Sequence, residues 1–140
     1  MRKKNSTLLS FILGAVLLCG CAGLDRNVYH GETVTADGVS AARHTFNVWF
    51  AEEMVQAKAS NNVARMAQLS QSRDHVHKMV YDAGFTLKTV DQLRLQVRSD
   101  PSTTNRMALS IALQALPQVS SNIAYTVKYL MTGGLLEKSP

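Results

Sequence analysis

Beyond residue 21 this chain has no cysteine; Cys19 and Cys21 are its only two. Residues 22–140 therefore offer no thiol nucleophile and no sulfur ligand for a metal. Proline occurs only three times, and Trp49 is the single tryptophan. No Gly-x-Ser-x-Gly elbow, phosphate-binding glycine loop or zinc-helix motif is present, so the usual signatures of hydrolase, nucleotide and metalloprotease chemistry are missing. Serines are many, but none has a patterned neighbourhood. No internal repeat and no low-complexity tract stands out.

What is present is concentrated at the start. Arg2, Lys3 and Lys4 form a basic opening, and residues 8–18 form an apolar run. That run has the length of a secretory signal and is too short for a membrane span of about 20 residues. Leu18-Cys19-Gly20-Cys21 then gives a branched apolar residue, a tolerant position, a small residue and a cysteine. The tetrapeptide resembles the lipobox of bacterial lipoproteins. The resemblance covers residues 1–21 and implies diacylglycerol on the Cys21 thiol, cleavage before Cys21 and acylation of the new amine. It also implies a mature chain without free thiol or disulfide, whose fold rests on its apolar core. Two or three acyl chains bury many methylenes at about 0.8 kcal/mol each, enough for stable anchoring. Ala22 follows the cysteine in place of aspartate, which in lipoproteins of enteric-type bacteria implies transfer to the outer membrane. The expected location is thus the outer membrane, lipid-anchored, with the domain facing the periplasm.

Loss of the signal changes the charge. Without Arg2, Lys3 and Lys4, 12 basic residues face ten acidic ones, and the formal charge falls from +5 to +2. A near-neutral domain lacks the clustered basic face that nucleic acid requires. About 120 residues remain, enough for one small domain.

Residues 21–36 show no periodicity and carry Gly, Asn and Thr, which reads as a flexible tether spanning roughly 20 Å. The alternative is that Val28 and Tyr29 dock onto the domain. Residues 37–134 form the expected domain. Asp37 or Ser40 can cap a first helix, along which Val39, Ala42, Phe46, Trp49, Phe50, Met54 and Ala57 recur at spacings of three and four. Asn61-Asn62 breaks this pattern and can cap a second helix carrying Val63, Met66, Leu69, Val76, Met79, Val80 and Ala83. Gly84-Phe85 fits a helix end. Residues 85–98 match a helix through Leu87, Val90, Leu93 and Val97, and match a short hairpin through alternation of Leu93, Leu95 and Val97. The absence of a turn glycine favours the helix. Asp100-Pro101 opens the last helical stretch, with Leu109, Leu113, Leu116, Ile123, Val127 and Leu130 on one side. Pro117 should kink it or start a new helix. Its span 107–127 carries no formal charge, yet Gln114, Gln118, Ser120, Ser121 and Asn122 make it too polar for lipid. Residues 135–140 are a tail. The expected fold is all-α, a small bundle of about four helices.

Chemistry is sparse. His75 and His77 are two apart, so on a helix they point away from each other and cannot share one ion. Asp74 and His77 have the right spacing, but no third ligand lies near in sequence. Glu52 and Glu53 are adjacent and face different ways, as a charged face does, rather than working as an acid–base pair. The expectation is a non-catalytic protein without metal or cofactor.

Function follows by class. The leading expectation is an envelope lipoprotein that binds a protein partner, as adaptor or escort factor of a membrane assembly. In size, lipidation and helical content it is similar to the pilotin lipoproteins. That resemblance implies delivery of a secretin-type partner and an apolar groove for a partner helix, and it carries over no residues. The groove is expected beside Phe46, Trp49 and Phe50, since aromatics dominate interface anchors. Two other classes compete: a conjugation or phage exclusion lipoprotein, and a small ligand-binding or hydrolytic lipoprotein. The last would need a deep pocket with convergent polar groups.

The anchor is directly testable. Cys21→Ser should move the domain from the outer-membrane fraction to a soluble or uncleaved precursor form. Fractionation unchanged by the substitution would show that lipid on Cys21 is not the tether.

Overall fold

A computed structural model describes residues 5–134, with side chains from Gly23 onward except Leu24 and Asp25. Three helices account for nearly all of it: α1 Asn5–Ala59, α2 Val63–Ser99 and α3 Thr103–Met131. Among the described residues there is no strand. The class is all-α as expected, but with three helices in place of about four.

The reason is a repeat that the residue types disguise. In α2 the buried apolar residues are Leu69, Val76, Ala83, Val90 and Val97, spaced by seven without exception. Between them fall buried Ser72 and half-buried Met79, Thr86 and Leu93, also spaced by seven. Helix α3 buries Leu109, Leu116, Ile123 and Leu130 at the same interval, with Asn105, Ala112, Val119 and Thr126 half-buried between them. Helix α1 follows through Val28, Thr35 and Ala42, and through Val39 and Phe46. A seam of period seven stays on one face of a helix of 3.6 residues per turn only if the helices wind around each other in a left-handed sense. The bundle is therefore a short three-stranded coiled coil folded from one chain.

Short connections set the direction of each helix. Ala59 leads through Asn61, whose φ is +49°, into Asn62. Asn62 caps α2, its side-chain oxygen accepting the Arg65 amide at 2.9 Å. Residues 100–102 join α2 to α3. There the cap is Ser102, which accepts the Asn105 amide at 3.4 Å, and not the expected Asp100. Asp100 instead ends α2 by donating its amide to the Gln96 carbonyl at 2.7 Å and accepts from Asn105 Nδ2. Two three-residue links force α2 antiparallel to both neighbours, and all three helix pairs are in contact. Gly133, at φ +88°, and Gly134 close α3, donating to the Leu130 and Tyr129 carbonyls. This is the pattern of a glycine-terminated helix.

Three local expectations are corrected by the seam. Residues 22–36 are helical instead of a flexible tether, with Val28 fully buried and Thr35 2% exposed. Leu116 and Leu113 pack over Gly31 in the same stretch. Helix α2 runs straight through Gly84, which is exposed with open space around it. A break there would strip burial from Val90 and Val97, and a mid-helix glycine costs only about 1 kcal/mol. Residues 85–98 are accordingly helix, as expected, and not the alternative hairpin. Pro117 sits on an exposed position inside α3 and starts no new helix. The expected tail, 135–140, lies outside the described residues.

The core has two apolar halves. One gathers Phe46, Val39 and Ala42 of α1, Val76 and Ala83 of α2, and Ile123, Val127 and Leu130 of α3. The other gathers Val28, Val90, Val97, Leu109 and Leu116. Thr35 lies on α1 between Val28 of one half and Val39 of the other. Where α1 meets α3 the backbones come close, because a Cβ on Gly38 would lie 3.2 Å from that of Ser120.

Gly84→Ala tests the continuity of α2. An alanine in an open, exposed helix interior should raise stability by about 0.5–1 kcal/mol, measured by urea unfolding. A loss of stability would instead mark a left-handed helix end at that position.

Candidate functional site

Cys21 lies within the span of α1, and its side chain is outside the described residues. Among the described residues no helix is long and apolar enough to cross a membrane.

The three aromatics expected to border a groove are divided between core and seam. Phe46 is fully buried. Trp49 and Phe50 are half-buried and pack on the same cluster, with ring centroids 5.7 and 5.9 Å from that of Phe46. Their outer faces are roofed by arginines from α2. The Arg65 guanidinium lies 6.0 Å from the Trp49 ring and that of Arg73 lies 5.8 Å from the Phe50 ring. Arg65 also donates to Glu53 at 2.6 Å. Guanidinium over an aromatic face is favourable and keeps water off the ring. Phe46 is thus a core residue, and Trp49 and Phe50 lie partly exposed beside the α2 arginines.

The open seam is on the other flank of α1. Gly38, Ala41, Ala42 and Thr45 of α1 face Ala124, Val127, Lys128 and Met131 of α3, with Thr132 beyond, across a groove of about 590 Å³. It exists because the α1 wall carries only small side chains. Gly38 pinches one end against Ser120, while the other end opens where α3 stops and α1 continues. Lys128 is the sole charge in the lining. Ala41 also belongs to a second stripe on α1: Val34, Ala41, Val48 and Val55, again spaced by seven and all exposed. An apolar stripe with helical period that no neighbour covers is the surface a further helix packs on. The repeat was available in the sequence. It carries no aromatic, the residue type that dominates interface anchors.

The other two seams are more closed or more polar. Between α2 and α3 a crevice of about 180 Å³ is lined by Met79, Asp82, Ala83, Thr86, Val119, Asn122 and Ile123. Tyr81, Phe85 and Tyr125 are exposed on the outer surfaces of these helices, apart from the groove.

Among the described residues, no three of His, Cys, Asp and Glu are gathered closely enough to hold a metal ion. His75 and His77 are exposed on α2, and Asp74 is paired with Arg73 at 3.5 Å. Glu52 is exposed, while the adjacent Glu53 is engaged by Arg65. The unusual titratable group is one that sequence reasoning passed over. Glu32 of α1 faces Asp91 and Lys88 of α2, and burial pushes its carboxyl above the ordinary value of 4.5. The positive charge of Arg94 works against this rise, and the negative charge of Asp91 adds to it.

The sign of the resulting pH dependence is fixed. Folded Glu32 holds its proton more tightly than the unfolded chain does, so its contribution is complete below about 4.5 and is lost as pH rises through the raised folded value. Glu32→Gln should remove that loss. Thermal unfolding between pH 4 and pH 8 should show the variant gaining on the parent as pH rises, and parallel curves would rule the effect out.

No family model matches this chain, and neither the curated proteins nor the solved structures contain a significant match to it.

Proposed function

We propose that this protein is a lipid-anchored, non-catalytic adaptor of the cell envelope that holds a helical segment of a membrane-assembly protein. Its place is the outer membrane, through Cys21, with the bundle facing the periplasm. The observation that carries the partner reading is the open α1–α3 groove and the uncovered stripe of Val34, Ala41, Val48 and Val55 beside it. The signal and lipobox-like start of the chain support the anchor.

The groove suits a helix in particular. Its walls are two parallel helices, and the stripe on α1 repeats every seven residues. A third helix lying in that seam would extend the coiled coil to four strands by the packing that already holds the bundle. Tethering to a membrane raises the local concentration of the adaptor near a membrane-bound partner, so a modest apolar contact suffices for occupancy. Partner specificity then rests on the small residues at Gly38, Ala41 and Ala124, which set how closely the incoming backbone approaches.

A photo-crosslinking residue placed at Ala41 or Ala124 in cells should yield one near-stoichiometric adduct with an envelope protein. The same residue at His77, on the exposed surface of α2, should not. Ala41→Glu should abolish the adduct formed from Ala124 while changing unfolding free energy by no more than about 0.5 kcal/mol, as an exposed substitution does. Adducts formed equally from all positions, or none from the groove, would overturn the proposal.

A further inference from the structure

One end of the α1–α2 seam leaves two polar atoms unsatisfied. Among the described residues, the buried side-chain atoms without a hydrogen-bond partner are Glu32 Oε1 and Arg94 Nε. They belong to an acid and a base on facing helices, and Arg94 is close enough for its charge to act on Glu32. The guanidinium is not idle. Its Nη2 donates to Asp91 at 2.6 Å, one turn back on the same helix. A buried donor or acceptor left unpaired is destabilising, and such orphans are rare in folded proteins. Here each is the natural partner of the other.

We infer that Arg94 is a shared guanidinium that exchanges between Asp91 on its own helix and Glu32 on α1, so that this end of the α1–α2 seam has two hydrogen-bonded states. In the first, Arg94 serves Asp91 and ties α2 only to itself. In the second, Nε turns to Glu32 Oε1 and ties α2 to α1. The proton on Glu32 selects between them. A neutral carboxyl competes poorly with the Asp91 carboxylate. Once Glu32 releases its proton to water, its charge-assisted bond is about twice as strong as a neutral one, and the buried carboxylate needs it most.

The surroundings support this choice of partner. The α2 wall of the crevice that Glu32 lines presents Leu87, Lys88 and Asp91, and Arg94, bonded to Asp91, acts on Glu32 by its charge. Lys88 is exposed and stays in water. From α3, Leu113 and Leu116 lie over neighbouring Gly31 and bring no charge. Thr33 and Ala36 complete the α1 side of the crevice. Of the neighbouring cations, Arg94 is the one with a buried, unpartnered nitrogen to match the buried Oε1 of half-buried Glu32. The device is independent of the adaptor reading, and it sits toward the end of the bundle that the N-terminal segment enters. Its effect would be to move the bond of Arg94 from α2 to α1 as pH rises, offsetting part of the stability lost when Glu32 ionises.

The test is nuclear magnetic resonance on the full-length protein in detergent, with isotope-labelled arginine and glutamate side chains. Across the titration of the Glu32 carboxyl, the Arg94 Nε–H resonance should shift and its exchange with water should slow, both with the Glu32 midpoint. Glu32→Gln should erase that transition while helix content by circular dichroism stays unchanged. Asp91→Asn, which removes the competing acceptor, should move the transition to lower pH and provides the reading if the first variant does not fold. An Arg94 resonance that stays flat while Glu32 titrates, or a transition that persists in Glu32→Gln, would overturn the inference.

Discussion

Everything in this structure depends on one seven-residue interval. A helix of 3.6 residues per turn drifts by about 20° with each heptad, so a strict repeat of seven is buried only if the helices coil. Coiling keeps Leu69, Val76, Ala83, Val90 and Val97 on one face over the whole of α2. It likewise aligns Leu109 through Leu130 on α3. Helix length, the survival of α2 through Gly84 and of α3 through Pro117, and the position of the groove all follow from that alignment. Packing of an apolar face decides whether a helix persists, more than the propensity of any one residue.

The apolar content of the seam is modest. Alternate core positions are taken by Ser72, Thr86, Thr126 and Asn105, and the α1 strand of it includes Thr35 and Glu32. Such residues weaken a coiled coil but fix its register and strand number. They also explain why the sequence was only partly legible. The all-helical class, the cap at Asn62, the helix over residues 85–98 and most core residues could be read from spacings of three and four. Unbroken periodicity could not, because at Thr35, Thr86 and Thr126 the apolar signal lapses while the burial does not. Glycine and proline punctuate the sequence pattern of helices that tertiary contacts carry through them.

The candidate site was less legible for a related reason. Large aromatics draw attention, and Phe46 and Trp49 do anchor something, but it is the core of their own bundle. The uncovered surface is made of alanine, glycine and valine, whose meaning lies in what is absent. Small side chains along α1, facing Ala124 and Val127 of α3, leave room for an open groove. Only the relative placement of α1 and α3, separated by more than 80 residues of chain at Gly38 and Ser120, shows that the room is contiguous. The surroundings of Glu32 are illegible for the same reason, since Glu32 and Asp91 lie far apart in sequence and line one crevice.

The helical state of residues 22–36 alters how an anchor at Cys21 would work. A leash averages over every orientation and lets a domain tumble near the bilayer. A continuous helix of 37 residues from Gly23 to Ala59 is a rod of about 55 Å, and whatever fixes its foot also fixes its azimuth. The bundle would then present one flank to its neighbours in the envelope in preference to the others. The Asn61 turn would ride at a set height, as the head of a mast does, and the space beneath it would be a measured gap between the membrane and whatever the tip meets.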